Sequence, residues 1–263
     1  MLRFAINTGM LFTERPFLDR FEACRSAGIE NVEFPFPYAF DPHAVNDKIR
    51  KSGLDLILFD LPVDDWDSGG RGCATDPLAV DLFRDGLTRA ITYASILSPK
   101  FLTCIVGKRL HDIPYTTQQN VLVDNLQYAS DKLAPMNIDL LVEIFNDHDH
   151  PDFFLTRVSD AVSLVKLVGR PNFKIQIDTY HVKLMEGKLN GLIKQHGADI
   201  GHIQIGDVPG RHQPGTGRIN FLSLFEELDR IDYSGYIGLE YIPLGGSLES
   251  LAWLKNSELG FLP

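Results

Sequence analysis

Eight short β-like runs recur along the chain with helical stretches between them, and this alternation restricts the fold more than any other feature. The runs are LRFAIN (2–7), NVEFPF (31–36), LDLILF (54–59), KFLTCIV (100–106), IDLLVEI (138–144), FKIQID (173–178), IGHIQIG (200–206) and GYIGLEY (235–241). Between them, PFLDRFEACRSAG, DLFRDGLTRAITYASIL, NVLVDNLQYASDKL, VSDAVSLVKLVG and FLSLFEELDRI repeat apolar residues every three or four positions, the period of a helix with one buried face. Gly28, Gly53 and Gly169 fall where such helices should stop before the next strand. Eight units in 263 residues take about 33 residues each, the size of one strand-plus-helix unit. Eight parallel strands can close on themselves and leave no edge. The expectation is therefore α/β, a single (β/α)8 TIM barrel, with residues 1–263 forming one catalytic domain. An open doubly wound sheet would normally carry a glycine-rich loop after its first strand, and NTGM at 7–10 is not one.

Composition narrows the functional classes. The net charge of −10 argues against a nucleic-acid binder, which needs a basic face. It leaves room for a small anion, because a few local cations outweigh a distant field at short range. No apolar run reaches the roughly 18 residues of a membrane helix, and MLRFAINTGML is too short and polar for a signal peptide. Cys24, Cys73 and Cys104 are scattered and odd in number, which suggests buried thiols in a reducing compartment, hence the cytoplasm.

Four successive strands end on oxygen-bearing side chains: Glu143, Asp178, Gln204 and Glu240. Their spacing is close to one unit, so all four should reach the same mouth of the barrel, where such folds keep their chemistry. One strand-end acid reads as a cap on the following helix; four in register read as a site. Three carboxylates at one mouth cannot all stay ionised unaided, so some take protons or a cation sits among them. An all-oxygen set of Glu143, Asp178, Gln204 and Glu240 suits a hard divalent metal, Mg²⁺ or Mn²⁺, better than zinc.

The segments VEIFN…D at 142–149, IDTYH at 177–181, HIQIGD at 202–207, RHQPGTGRIN at 211–220 and LEY at 239–241 resemble the hydroxypyruvate isomerase family, within the xylose-isomerase-like barrels. FAINTGMLFTERPFLDRF…AGIENVEFPFPY and FRDGLTRAITYA extend the resemblance over nearly the whole chain. It implies that Glu143 and Glu240 form the proton-transfer pair. Related sugar epimerases bind their metal through Glu, Asp, His and Glu; here glutamine stands at the histidine position, as it does in the hydroxypyruvate isomerases. This chain departs from the family's usual residues at Ile144, Phe59 and Arg218, and the last bears on substrate choice.

The chemistry implied is interconversion of hydroxypyruvate and tartronate semialdehyde, in which a proton moves between adjacent carbons through an ene-diolate. Two facing carboxyls fit that need, and a metal on both oxygens would steady the charge. Asp178 and Gln204 would position the ion. The carboxylate of a small anionic hydroxy or oxo acid needs a cation: Arg71 in SGGRG, Lys108 after the fourth strand, or Arg211 after the seventh, where the epimerases place a substrate-binding arginine. His181 is expected to bond a substrate hydroxyl, and Asp149 to supply a second acid contact. Glu33 is expected as a helix cap, a buried pair or an inward acid, His202 as a core histidine, and His148 and His150 as solvated loop residues. Relatives often form dimers or tetramers, so a homo-oligomer is compatible. The alternatives are a 2-oxo-tetronate isomerase of the same family, a sugar epimerase or keto-inositol dehydratase on the same fold, a trinuclear-zinc endonuclease, and a sugar-binding barrel without activity.

Overall fold

In the computed structural model, which describes residues 2–64 and 66–255, eight strands form one closed parallel barrel in sequence order. They are β1 (Arg3–Asn7), β2 (Asn31–Glu33), β3 (Asp55–Asp60), β4 (Phe101–Cys104), β5 (Asp139–Glu143), β6 (Phe173–Asp178), β7 (Ile200–Ile205) and β8 (Tyr236–Leu239). The barrel closes through β1 against β8, with Ala5 opposite Gly238. The helices are α1 (Arg20–Ser26), α2 (Pro42–Lys51), α3 (Val80–Leu97), α4 (Tyr115–Leu133), α5 (Val158–Val168), α6 (Thr179–Met185), α7 (Leu189–His196), α8 (Phe221–Arg230) and α9 (Ser247–Ser250). Each observed strand lies within its expected run except β3, which extends one residue past it to Asp60. β2 is the shortest, because Pro35 has no N–H with which to lengthen it.

Local chemistry sets the helix ends. Asp41 caps α2 by accepting from the His43 and Ala44 amides at 2.9 and 3.0 Å, with Pro42 at the first helical position. Gly169 ends α5 in the left-handed conformation, φ +60°. Most apolar side chains form one large cluster that includes Phe21, Phe59, Leu87, Leu122 and Leu224, filling the space between strands and helices. A smaller cluster of Ala5, Ile57, Leu58 and Leu141, with Phe101 and Tyr236 against it, plugs the barrel's lower interior. No helix among the described residues is long and apolar enough to cross a membrane.

Candidate active site

Alternate residues of a strand share a face. Two positions beyond the apolar plug, the same inward faces carry polar groups: Ala5 leads to Asn7, Leu141 to Glu143, and Phe101 to Thr103. The first polar layer is a buried relay. The Thr103 hydroxyl donates to Gln176 Oε1 at 2.7 Å, Gln176 Nε2 to Gln204 Oε1 at 2.6 Å, and Gln204 Nε2 to Glu33 Oε1 at 2.8 Å. Asn7 Nδ2 also donates to Glu33 Oε1, while His202 Nε2 lies 2.7 Å from Glu33 Oε2. Each glutamine accepts at Oε1 and donates at Nε2, which fixes both amides. Both polar ends of Gln204 are therefore engaged below the mouth, and Gln204 is not among the residues lining the cavity there. His202 is a core histidine as expected, and Glu33 is the inward, buried alternative. Gly238 makes room for it: a Cβ there would lie 2.4 Å from Glu33 Oε1.

Above the relay, Asp60, Glu143, Asp178 and Glu240 converge. Glu143 is held well above the usual carboxylate range by burial, with Glu240, Asp178 and Asp60 adding repulsion. Glu240 is pushed up to about 8, chiefly by burial, and Asp60 rises for the same reason, with Glu240 and Glu33 adding to it. Arg211 is the cation among them. Its Nη2 lies 2.5 Å from Asp178 Oδ2 and 3.0 Å from Glu240 Oε2. The second contact lacks hydrogen-bond alignment, leaving Glu240 Oε2 and Arg211 Nε buried without a hydrogen-bond partner. Asp178 serves two purposes: Oδ1 caps α6 through the Tyr180 amide at 2.8 Å, and Oδ2 faces Arg211.

The loop after β7 delivers Arg211 in a left-handed conformation, φ +56°, which a non-glycine residue adopts only where its surroundings enforce it. Buried Asp207 enforces it by accepting from the amides of Val208, Gly215, Gly217 and Ile219 at 2.7–3.1 Å. The Arg211 carbonyl is tied to the Ile242 amide after β8 at 2.7 Å.

The loop after β5 is equally organised. Asn146 Nδ2 donates to Asp149 Oδ2 at 3.0 Å and approaches His181 Nδ1 at 2.5 Å, while its Oδ1 accepts from the Asp149 amide. Burial first, then Arg211 and His150, keep His181 neutral. With Nδ1 accepting, its proton sits on Nε2, which faces Asp178 Oδ2 at 3.6 Å. Asp149 is exposed at the rim and also accepts from the Tyr180 hydroxyl at 2.9 Å.

The cavity over these groups measures about 360 Å³ and is lined by Glu143, Glu240, Asp60, His181 and Arg211, with Trp66, Phe36 and Phe145 among its apolar walls. Arg71 and Lys108 do not line it; they border a separate cleft of about 220 Å³. His148 is exposed, as expected. His150 is not the solvated residue its loop composition suggests: it is half-buried, packed at a tilt with its ring 4.7 Å from Phe145, and lines the cavity. Asn146, Asp60 and Asp207 carry no separate sequence signal, although IFND and QIGD place Asn146 and Asp207 beside strand ends.

Glu143, Asp178 and His181 bring one ligand atom each within 4.8 Å of one another, so this group can hold a metal ion. The carboxylates of Glu143, Asp178 and Glu240 fit a hard divalent ion, and the unpartnered Glu240 Oε2 supports that fit. His181 fits it less well, since the tautomer set by Asn146 presents an N–H and no lone pair.

The family profile described as xylose isomerase-like TIM barrel matches residues 21–257. A hydroxypyruvate isomerase of Escherichia coli (strain K12) is 41% identical over 97% of this chain and 98% of its own. A 2-oxo-tetronate isomerase of Pectobacterium atrosepticum is 37% identical over 97% of each. A crystal structure of a protein named AP endonuclease, family 2, from Brucella melitensis superposes with a TM-score of 0.94 at 38% identity, covering 97% of this chain and 98% of that one. The E. coli 3-keto-D-glucoside 4-epimerase shares the fold, with a TM-score of 0.80 at 20% identity over 97% of this chain and 99% of its own.

Proposed function

The chain belongs to the xylose isomerase-like TIM-barrel family, and we propose that it is an isomerase interconverting hydroxypyruvate and tartronate semialdehyde. The observation that carries this is the convergence of Glu143 and Glu240 on one cavity, both with raised proton affinity and with Arg211 between the carboxylates. Buried acids that share protons near neutral pH can act in either direction.

One glutamate, ionised, takes a proton from C3 of hydroxypyruvate, and the C2 carbonyl becomes the ene-diolate. The other, protonated, delivers its proton to C2. The C3 hydroxyl gives up its proton as the aldehyde forms, and the C2 oxygen gains one. Arg211 and the Nε2–H of His181 face the developing oxyanions. Asp178 holds Arg211 in place, Asn146 fixes the His181 tautomer, and Gln204 holds Glu33 beneath the site. A divalent ion, Mg²⁺ or Mn²⁺, held by Glu143, Asp178 and Glu240 would supply Lewis-acid polarisation of the two substrate oxygens. Asp149 at the rim closes the site through Tyr180, and Lys108 and Arg71 lie further out.

A four-carbon 2-oxo acid is the second reading. The cavity of about 360 Å³ is roughly a dozen water volumes at about 30 Å³ each, more than a three-carbon acid fills, and the Pectobacterium relative is named for the longer substrate. A nuclease reading, raised by the name of the Brucella protein, is disfavoured by the net charge of −10 and by a single Glu-Asp-His group among the described residues.

The test is incubation with hydroxypyruvate in D₂O, with and without Mg²⁺ or Mn²⁺, followed by NMR beside Glu143→Gln and Glu240→Gln. Deuterium should enter the exchanging carbon and tartronate semialdehyde should accumulate, with both lost in each variant. Turnover of only the four-carbon acid would transfer the same mechanism to it. Absence of exchange with either acid under every metal would overturn the reading.

A further inference from the structure

The cavity holds a group that this mechanism does not use. His150 stands above the carboxylates on the loop after β5, its ring 4.7 Å from Phe145, 6.1 Å from Trp66 and 5.7 Å from His181. The loop that carries it is anchored: Phe154 donates to the Gly107 carbonyl at 3.0 Å, and Arg109 to that of Asp152 at 2.7 Å. The ring is therefore held in place against the cavity it lines.

Arg71 holds it from behind. Arg71 Nε donates to His150 Nδ1 at 3.0 Å. The same guanidinium donates through Nη1 to the Trp66 and Gly70 carbonyls at 2.9 and 2.6 Å and lies 4.0 Å over the Trp66 ring. A donor at Nδ1 requires a lone pair there, so the neutral ring carries its hydrogen on Nε2. Burial first, and then the Arg71 charge, keep the ring neutral across the physiological range, its pKa depressed to about 4. A cation behind Nδ1 also polarises the imidazole and strengthens the Nε2–H as a donor to an anion.

The other cavity donors serve elsewhere. Arg211 pairs through Nη2 with Asp178 and Glu240, and it and the His181 Nε2–H face the reacting oxygens; Asn7 Nδ2 is bound to Glu33, and Arg71 itself lies outside the cavity. The one side-chain hydrogen bond of His150 among the described residues is at Nδ1. An oxo acid with its reacting carbons between Glu143 and Glu240 must place its carboxylate on the remaining wall, away from those acids.

Resting on the isomerase reading above, we infer that His150 donates its Nε2–H to the substrate's carboxylate, with Arg71 as the positioning residue that fixes its tautomer. The charge of Arg71 thus acts through an imidazole. The pair selects acids over neutral ketoses of the same length, which offer a hydroxymethyl group at that end.

The test compares wild type, His150→Phe and Arg71→Met, using steady-state kinetics with hydroxypyruvate and competitive inhibition by two probes. Tartronate carries the carboxylate; dihydroxyacetone replaces it with a hydroxymethyl group. Phenylalanine keeps the ring packed against Phe145 and removes both the Nε2–H donor and the Nδ1 acceptor of Arg71. His150→Phe should raise KM for hydroxypyruvate and the tartronate inhibition constant about 10- to 100-fold, the range for losing a hydrogen bond to a charged group. It should leave kcat within about threefold and the dihydroxyacetone constant within about twofold. Arg71→Met should move the same constants in the same direction by less. Equal weakening of both probes, or a change in kcat alone, would overturn the inference in favour of a packing role. An unchanged KM and tartronate constant in an active His150→Phe enzyme would overturn it outright. Wild-type protein that turns over neither oxo acid refutes the isomerase reading instead, and tartronate binding by wild type and His150→Phe, measured by calorimetry, still decides the role of His150.

Discussion

Replacing Glu240 by glutamine should stabilise the metal-free protein while abolishing its chemistry, and the size of the gain should depend on pH. Burial, followed by repulsion from Asp178 and Glu33, pushes the folded-state pKa of Glu240 to about 8 against 4.5 for an ordinary glutamate, even with Arg211 opposing the shift. An acid whose folded pKa is raised takes up a proton on folding. Its contribution to stability is best below the unfolded value near 4.5 and is lost as pH rises from there to about 8. A shift of roughly 3.5 units at about 1.4 kcal/mol each sets a ceiling of about 5 kcal/mol, and proton sharing with Glu143 lowers what one substitution recovers. Glutamine resembles the protonated acid and has nothing to titrate. Urea unfolding in EDTA should show the variant within about 1 kcal/mol of wild type at about pH 5 and ahead by a few kcal/mol at about pH 8.5. For a chain of this size that is a difference of roughly ten degrees in Tm. Adding Mn²⁺ at the higher pH should narrow the gap, because an ion that binds the ionised carboxylates stabilises wild type more. A difference that is constant with pH, or largest at the acidic end, would refute the reasoning, since a buried acid with a raised pKa costs stability only where it must ionise.

Three further outcomes follow from the same geometry. Arg211→Met removes the cation between Asp178 and Glu240 and should tighten Mn²⁺ binding at about pH 8 by about tenfold, the equivalent of about 1.4 kcal/mol of relieved competition, as read by electron paramagnetic resonance; weaker binding would show that Arg211 does not compete with the ion. Asp207→Ala deprives four amides of their acceptor and should cost about 3 kcal/mol or more in chemical unfolding, with KM rising as the Arg211 loop loosens. Gly238→Ala brings a Cβ to 2.4 Å from Glu33 Oε1 inside a closed barrel, so thermal unfolding should show a loss of at least about 1–3 kcal/mol, whereas alanine at exposed Gly187, whose φ is +70° with no atom near its Cβ, should cost about 1 kcal/mol.

The barrel and the ring of acids at its mouth are legible in the sequence because both rest on local rules. A period of two fixes which strand residues face inward, a period near 3.6 marks the helices, and spacing of about one unit brings Glu143, Asp178 and Glu240 to one level. α2 is harder to see, since only Val45 and Ile49 of its residues are buried and so polar a segment, PHAVNDKIRK, offers few apolar residues from which to read a face. His150 defeats the sequence reading because the polarity of FNDHDH describes the loop's average, while Phe145, Trp66 and Arg71 decide where that one ring goes.

By itself, then, the sequence determined the number of strands, their closure and the residues pointing into the mouth. Only the tertiary structure decided that Arg211 is the cation among the carboxylates, that Gln204 turns down to Glu33, and that His150 faces inward. These choices join residues 33 to 204, 71 to 150 and 178 to 211. Local propensity carries no information about such pairs. They form because closing the barrel removes water from groups that must then find partners across it.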